Sequence, residues 1–87
     1  MTFVYILECA DGSYYTGWTT DLERRVNIHN AGRGSRYTRL RRPVKLVYWE
    51  EYPDRGSAQR RELTLKRMSR VRKSALIEGF EPQDSQT

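Results

Sequence analysis

The chain has 87 residues, with 16 lysines and arginines against 11 aspartates and glutamates, a formal charge of +5 at neutral pH. That length holds one modest hydrophobic core and leaves no room for a second domain of ordinary size, while the positive balance suits a polyanionic partner such as nucleic acid. The single cysteine, Cys9, excludes an internal disulfide and a multi-cysteine metal site, and no apolar run approaches the ~20 residues that cross a bilayer.

The run "TFVYILE" is rich in β-branched and aromatic residues, and "SYYTGW" follows the Asp11-Gly12 pair, so an amino-terminal β-hairpin is expected. Its register bears on Tyr5 and Tyr15. If Asp11-Gly12 is the whole loop, residue 10 faces residue 13 and the two tyrosines point to opposite sheet faces, because side chains alternate. An odd loop, for example three residues with Gly12 in the left-handed conformation, brings both rings to one face. The residues by themselves leave both registers open.

Next, "TTDLERRVNIHNAG" reads as a helix, with Thr20 and Glu23 as a capping-box pair, Asp21 suited to the positive helix start, and Gly32 to close the end. Leu22, Val26 and His29 share one face of it, with Arg25 beside them. Residues 32–44, "GRGSRYTRLRRPV", have no apolar period and read as a basic loop. A third strand, "VKLVYWEEY", follows. Then "GSAQRRELTLKRM" predicts a helix capped by Ser57, and "SRVRKSALIEG" a second one capped by Ser69 and stopped near Gly79. The order β-β-α-β-α-α predicts an α/β fold of the α+β type. Residues 1–80 would form one domain, a small three-stranded, mainly antiparallel sheet flanked by helices, and 81–87 a disordered polar tail.

Taken singly, the chemically able side chains have ordinary structural readings. Tyr5 and Tyr15 fit core packing, His29 a structural hydrogen bond, Arg25 a solvated or ion-paired position, and Glu62 a surface pair with Lys66 at i+4. Their combination says more. "VYI" stands ten residues before the tyrosine of "YTG", followed by an arginine-bearing helix and a later helical glutamate, and this ensemble resembles the GIY-YIG nuclease superfamily. The likeness is greatest to its small single-domain bacterial members, whose pattern "YTGWTTDLERR…H…G…YT…RPVKLVY…E…LK" is followed nearly throughout, through Gly79.

That resemblance implies a metal-dependent phosphodiesterase with catalytic residues Tyr5, Tyr15, Arg25, His29 and Glu62. Glu62 would bind Mg²⁺ or Mn²⁺, Arg25 would steady the phosphate, and the tyrosines and His29 would position or deprotonate a metal-bound water. The residue types suit such chemistry. Mg²⁺ takes hard oxygen ligands and keeps most of its waters, so one carboxylate can suffice when phosphate supplies another ligand. Arginine offers a permanently charged fork to phosphate, and of the adjacent pair only Arg25 lies four residues before His29. Histidine accepts a proton near neutral pH, whereas tyrosine needs a neighbouring cation, and the sequence leaves the base unassigned. Gly17 would leave backbone room for phosphate or a neighbouring strand. Two positions depart from patterns elsewhere in the superfamily: Trp18 where some members carry lysine, and Ser74 where some carry asparagine. Trp18 is read as packing.

Outside this group, Arg33, Arg36, Tyr37, Arg39 and Arg42, with Arg41, read either as a basic rim offering phosphate and base contacts or as a plain solvated loop. A second strip, Lys66, Arg67, Arg70, Arg72 and Lys73, reads as surface rather than site. The expected partner is nucleic acid, DNA before RNA, with no membrane and with room for a protein partner that supplies specificity. The expected setting is cytoplasmic, since no secretory pattern opens the chain. The competing readings are a nucleic-acid-binding module that keeps the scaffold with little or no catalysis, and a nuclease subunit that needs a partner to act.

Overall fold

The computed structural model describes residues 1–81, so the tail expected beyond residue 80 lies, Glu81 apart, outside the described residues. Strands β1 (Thr2–Glu8), β2 (Tyr14–Thr19) and β3 (Lys45–Tyr52) form one antiparallel sheet in the order β2-β1-β3. Helix α1 (Leu22–Asn30) and the short α2 (Arg36–Arg39) come between β2 and β3, and α3 (Arg55–Arg67) and α4 (Arg70–Glu78) follow.

The hairpin takes the odd loop. Cys9 N donates to the Ser13 carbonyl at 2.8 Å, leaving Ala10, Asp11 and Gly12 as a three-residue loop with Gly12 at φ +84°. A left-handed residue closing a three-residue hairpin is the role that glycine fills without steric penalty. Tyr5 therefore faces Gly17 and Leu7 faces Tyr15, which puts Tyr5, Tyr15 and Gly17 on one side of the sheet. Cys9 lies just past the end of β1, buried at the base of the loop, and burial pushes its thiol pKa up.

Alternation sorts the core into two layers. Tyr5, Leu7, Cys9 and Val44 are buried on the first face with Leu22 and Val26 of α1 against them. On the second face Val4, Ile6 and Tyr48 meet Ala58 and Leu65 of α3, joined by Leu76 and Ile77 of α4. Ala58 and Leu65 are two turns apart on one helical stripe, and burying a leucine fully contributes about 1.5–3 kcal/mol. A bulge leaves Val47 as the extra residue on β3 between Tyr48, which faces Ile6, and Leu46, which faces Leu7.

Two helix starts differ from expectation. Asp21, not Thr20, caps α1 by accepting from Arg24 N at 3.1 Å, and Asp54, not Ser57, caps α3 by accepting from Ser57 N at 2.7 Å. In both cases two good capping residues stand close together, and the aspartate takes the position from which a side chain reaches the third helical N–H. Ser69 caps α4 as expected, and Gly79 ends it. Gly32 closes α1 at φ +85°, with Gly32 N bonded to the His29 carbonyl and Arg33 N to the Ile28 carbonyl, a Schellman ending. The basic loop is also more ordered than its composition suggests, because Ser35 caps the four residues of α2 by accepting from Thr38 N.

A polar clamp fixes α3 on the sheet. The Arg61 guanidinium donates to both Glu50 oxygens, at 2.9 and 3.0 Å, and the hydroxyls of Tyr48 and Tyr52 donate to the same carboxylate. Such a bidentate pair sets direction as well as position, and it lies one residue from Glu62.

Candidate active site

Tyr5 is 2 % exposed, and its ring crosses Gly17, the residue opposite it on edge strand β2. An alanine Cβ at position 17 would stand 2.6 Å from the Tyr5 hydroxyl oxygen and 2.8 Å from Cζ. Of the two expectations from sequence, phosphate or a neighbouring strand, Gly17 makes room for the second, the phenol of Tyr5 on the paired strand β1.

The hydroxyl that crosses Gly17 meets His29. Tyr5 Oη lies 3.0 Å from His29 Nε2, and His29 Nδ1 lies 2.7 Å from Thr38 Oγ1. His29 is 1 % exposed and Thr38 fully buried, so the chain Tyr5–His29–Thr38 is enclosed. Gly34 is the second space-maker, because a Cβ there would come within 2.1 Å of His29 Nδ1. Sequence reasoning missed both Thr38 and Gly34. The signal available was "GSRYT", a serine cap followed three residues later by threonine.

Tyr15 completes the aromatic wall, with its ring centroid 5.1 Å from that of His29 and 6.5 Å from that of Tyr5. Two charges act on the group from different elements. Burial pushes the Tyr5 phenol well above its ordinary value, Tyr15 adds to this, and the Arg25 guanidinium opposes both, while the Glu62 carboxylate raises the phenol further. Arg25 comes from α1 on the same face, whereas Glu62 comes from α3 on the other. The Tyr5 ring runs toward the free edge of β2, where charges from both layers reach its hydroxyl.

Burial, and then the Arg25 charge, hold His29 below its ordinary value. The imidazole is therefore neutral at pH 7 and can accept a proton. Arg25 Nε is buried without a hydrogen-bond partner among the described residues, and the charge of its guanidinium acts on both the phenol and the imidazole. Glu62 is mostly covered, and its Oε2 stands 3.5 Å from Lys66 Nζ, the loose i,i+4 pair anticipated from the sequence.

A glutamate carboxylate is a hard oxygen donor of the type that Mg²⁺ takes. Glu62 is the one carboxylate whose charge acts on the Tyr5 hydroxyl, and among the described residues no group of three or more His, Cys, Asp or Glu side chains could hold a metal alone.

The basic rim divides. Arg42 is tied to backbone, donating from Nε to the Arg39 carbonyl at 3.0 Å and from a terminal nitrogen to the Asn30 carbonyl at 3.4 Å. Arg33, Arg36 and Arg39 are exposed. Tyr37 stacks near Tyr15 at 6.2 Å between centroids, and the Arg41 guanidinium covers it at 3.9 Å. Lys66 and Lys73, read from sequence as plain surface, line a cleft with Tyr14, Tyr15, Thr16 and Tyr37. Trp18 is half-buried, with Arg55 5.6 Å from its ring, and Ser74 bonds the Tyr14 hydroxyl at 3.1 Å.

Comparison with known proteins adds an independent view of this geometry. A family model described as the GIY-YIG catalytic domain matches residues 1–74. A UPF0213 protein of Halobacterium salinarum is 53% identical over 77 residues, spanning 88% of this chain and 100% of that protein. Another, from Clostridium perfringens, is 52% identical over 88% of this chain and 83% of its own length. The solution structure of a UPF0213 protein from Bacillus halodurans shares 47% identity, covers 90% of this chain and 84% of that one, and superposes with a TM-score of 0.57.

Proposed function

The chain belongs to the GIY-YIG catalytic-domain family, whose members are nucleases, and on that premise we propose that it is a metal-dependent phosphodiesterase hydrolysing DNA at the Tyr5–His29 site. One observation carries the reading: a buried phenol, hydrogen-bonded to a buried imidazole at 3.0 Å, feels a guanidinium from one helix and a carboxylate from another. Charge of both signs around a proton-transfer pair is what attack on a phosphate diester needs.

Each side chain has a task. Arg25 brings its guanidinium charge to the phosphate and stabilises the charge that grows there. Glu62 would hold Mg²⁺ or Mn²⁺ through a carboxylate oxygen, exchanging the loose contact with Lys66 for it. When bound, such a cation supplies Lewis-acid polarisation of the phosphate. Tyr15 walls the site against solvent and fixes the imidazole plane.

Proton traffic follows from the hydrogen bonds. We assign the His29 proton to Nδ1, facing Thr38 Oγ1 at 2.7 Å, which leaves Nε2 to receive the Tyr5 proton across 3.0 Å. Tyr5 is too strongly buried to rest as phenolate. It takes a proton from the attacking water as it passes its own to His29.

The pH profile should carry this signature. Because His29 is held below its ordinary value of about 6.5, the acid limb of kcat/KM should fall below that value, and a limb centred above about 7 would remove His29 as acceptor. The functional assignment itself is tested by titrating Mg²⁺ and Mn²⁺ against single-stranded, duplex and branched DNA, with Glu62→Ala as control. Cleavage that requires metal and Glu62 is the expected result. Salt-sensitive binding without cleavage under either metal would leave only a binding module.

A further inference from the structure

The cleft beside the reactive group is built on the free edge of β2. Tyr15 and Thr16, neighbours that point to opposite faces, both line it, together with Tyr14, Tyr37 of α2, Lys66 of α3 and Lys73 of α4, around a volume of about 260 Å³. One wall is aromatic and the other cationic. Three features of it are unexplained by folding alone.

Tyr37 is 36% exposed, yet it is held firmly. The Arg41 guanidinium covers its ring at 3.9 Å, donates to the Tyr37 carbonyl at 2.9 Å and to Asp11 Oδ2 at 3.1 Å, and so ties α2 to the hairpin loop. An exposed aromatic fixed this way is preorganised as a surface for another flat group. Lys73 is half-buried with Lys66 as a like-charged neighbour, and among the described residues it has no carboxylate in ion-pair range. Burial and then Lys66 hold its pKa below the ordinary value, a cost that an anion between the two ammonium groups would relieve. Thr16, 4% exposed, has a hydroxyl with no partner in the protein among the described residues. A buried hydroxyl without a partner is costly unless something else completes it.

We propose that this cleft holds an unpaired nucleotide next to the scissile phosphodiester, its base against Tyr37 and Tyr15 and its phosphate between Lys66 and Lys73. The inference deepens the phosphodiesterase reading and rests on it for the position of the cut. The nucleotide must be unpaired because a base inside a duplex has both faces covered by its neighbours, whereas an aromatic wall takes only a base that has left the stack. Tyr15 is shared between the two sites, since its ring also meets His29 at 5.1 Å, so a strand seated on the tyrosines runs directly into the reactive group. The consequence is a preference for single strands, gaps or flaps over intact duplex.

Binding measured in the absence of divalent metal isolates the cleft from the chemistry. A short single-stranded DNA carrying 2-aminopurine should change its fluorescence on binding the full chain, and Tyr37→Leu should weaken binding about tenfold and abolish the change, while Tyr37→Phe keeps both. Lys73→Gln should reduce the salt slope by about 0.7, the loss of one single-strand phosphate contact. A blunt duplex of the same sequence should bind more weakly and ignore Tyr37→Leu. Equal affinity for duplex and single strand, or single-strand binding indifferent to Tyr37→Leu, would overturn the proposal. Cleavage of the same oligonucleotide by the unaltered chain with Mg²⁺ tests the phosphodiesterase reading separately, so the two ideas fail on different measurements.

Discussion

Arg25→Ala should lower metal-dependent cleavage by about two to three orders of magnitude, the loss seen when one preorganised donor to a developing oxyanion is removed, while the urea midpoint stays nearly constant. The two halves of that expectation have separate origins. Among the described residues Arg25 Nε makes no hydrogen bond, so truncation strands no partner there and leaves the layers on β1 as they are. Its charge, however, acts on both Tyr5 and His29. Without it the Tyr5 phenol loses the one influence that lowers its pKa, and His29 loses one of the two that lower its own. The acid limb of the pH profile should therefore move upward in Arg25→Ala, a change that a purely structural arginine would not cause. Lysine is expected to recover little, because a point charge cannot reproduce a planar fork against phosphate. Loss of cleavage together with a fall of several kcal/mol in stability would assign Arg25 to the fold instead.

How much of this was legible beforehand differs from residue to residue, for physical reasons. The strands and the long helices follow from alternation and capping, which are local. The side of the sheet on which Tyr15 falls does not, because it turns on whether the hairpin loop is odd or even, and "CADGS" serves either; only the Cys9–Ser13 pairing and the positive φ of Gly12 decide it. The basic segment hid its order for a related reason. Its arginines have no period, and what anchors it is Thr38, a small polar side chain that becomes informative only when His29 stands 2.7 Å away. Tyr5, Tyr15, Arg25, His29 and Glu62 were legible as a set of motifs, and the structure brings the first four to one face of the sheet with the fifth acting across its edge. Lys66 and Lys73 were not separable from Arg67, Arg70 and Arg72, since which cations of a charged strip face inward depends on how α3 and α4 pack, and that is a tertiary property.

Gly17→Ala should be as damaging as the loss of a catalytic side chain. The added methyl would stand 2.6 Å from the Tyr5 hydroxyl oxygen, 2.8 Å from its Cζ and 3.3 Å from a Tyr15 ring carbon, so the phenol must move. The backbone cannot yield instead, because Gly17 faces Tyr5 in the β2–β1 ladder while β1 is held on its other side by β3. Overpacking of this kind costs about 1–3 kcal/mol, and displacing a reacting group by about 1 Å is enough for roughly a hundredfold loss of rate. A second substitution makes the cause visible. In a Tyr5→Leu background the two closest atoms are gone, leaving only the Tyr15 ring carbon at 3.3 Å, and alanine is then favoured over glycine in a strand by about 0.5–1 kcal/mol. Gly17→Ala should thus lower the urea midpoint in the natural chain and leave it level or raise it in the Tyr5→Leu chain, a coupling whose sign reverses between backgrounds. If the cost is the same in both, the glycine serves the backbone rather than the phenol, and Tyr5 is not held against His29 by the space that Gly17 leaves.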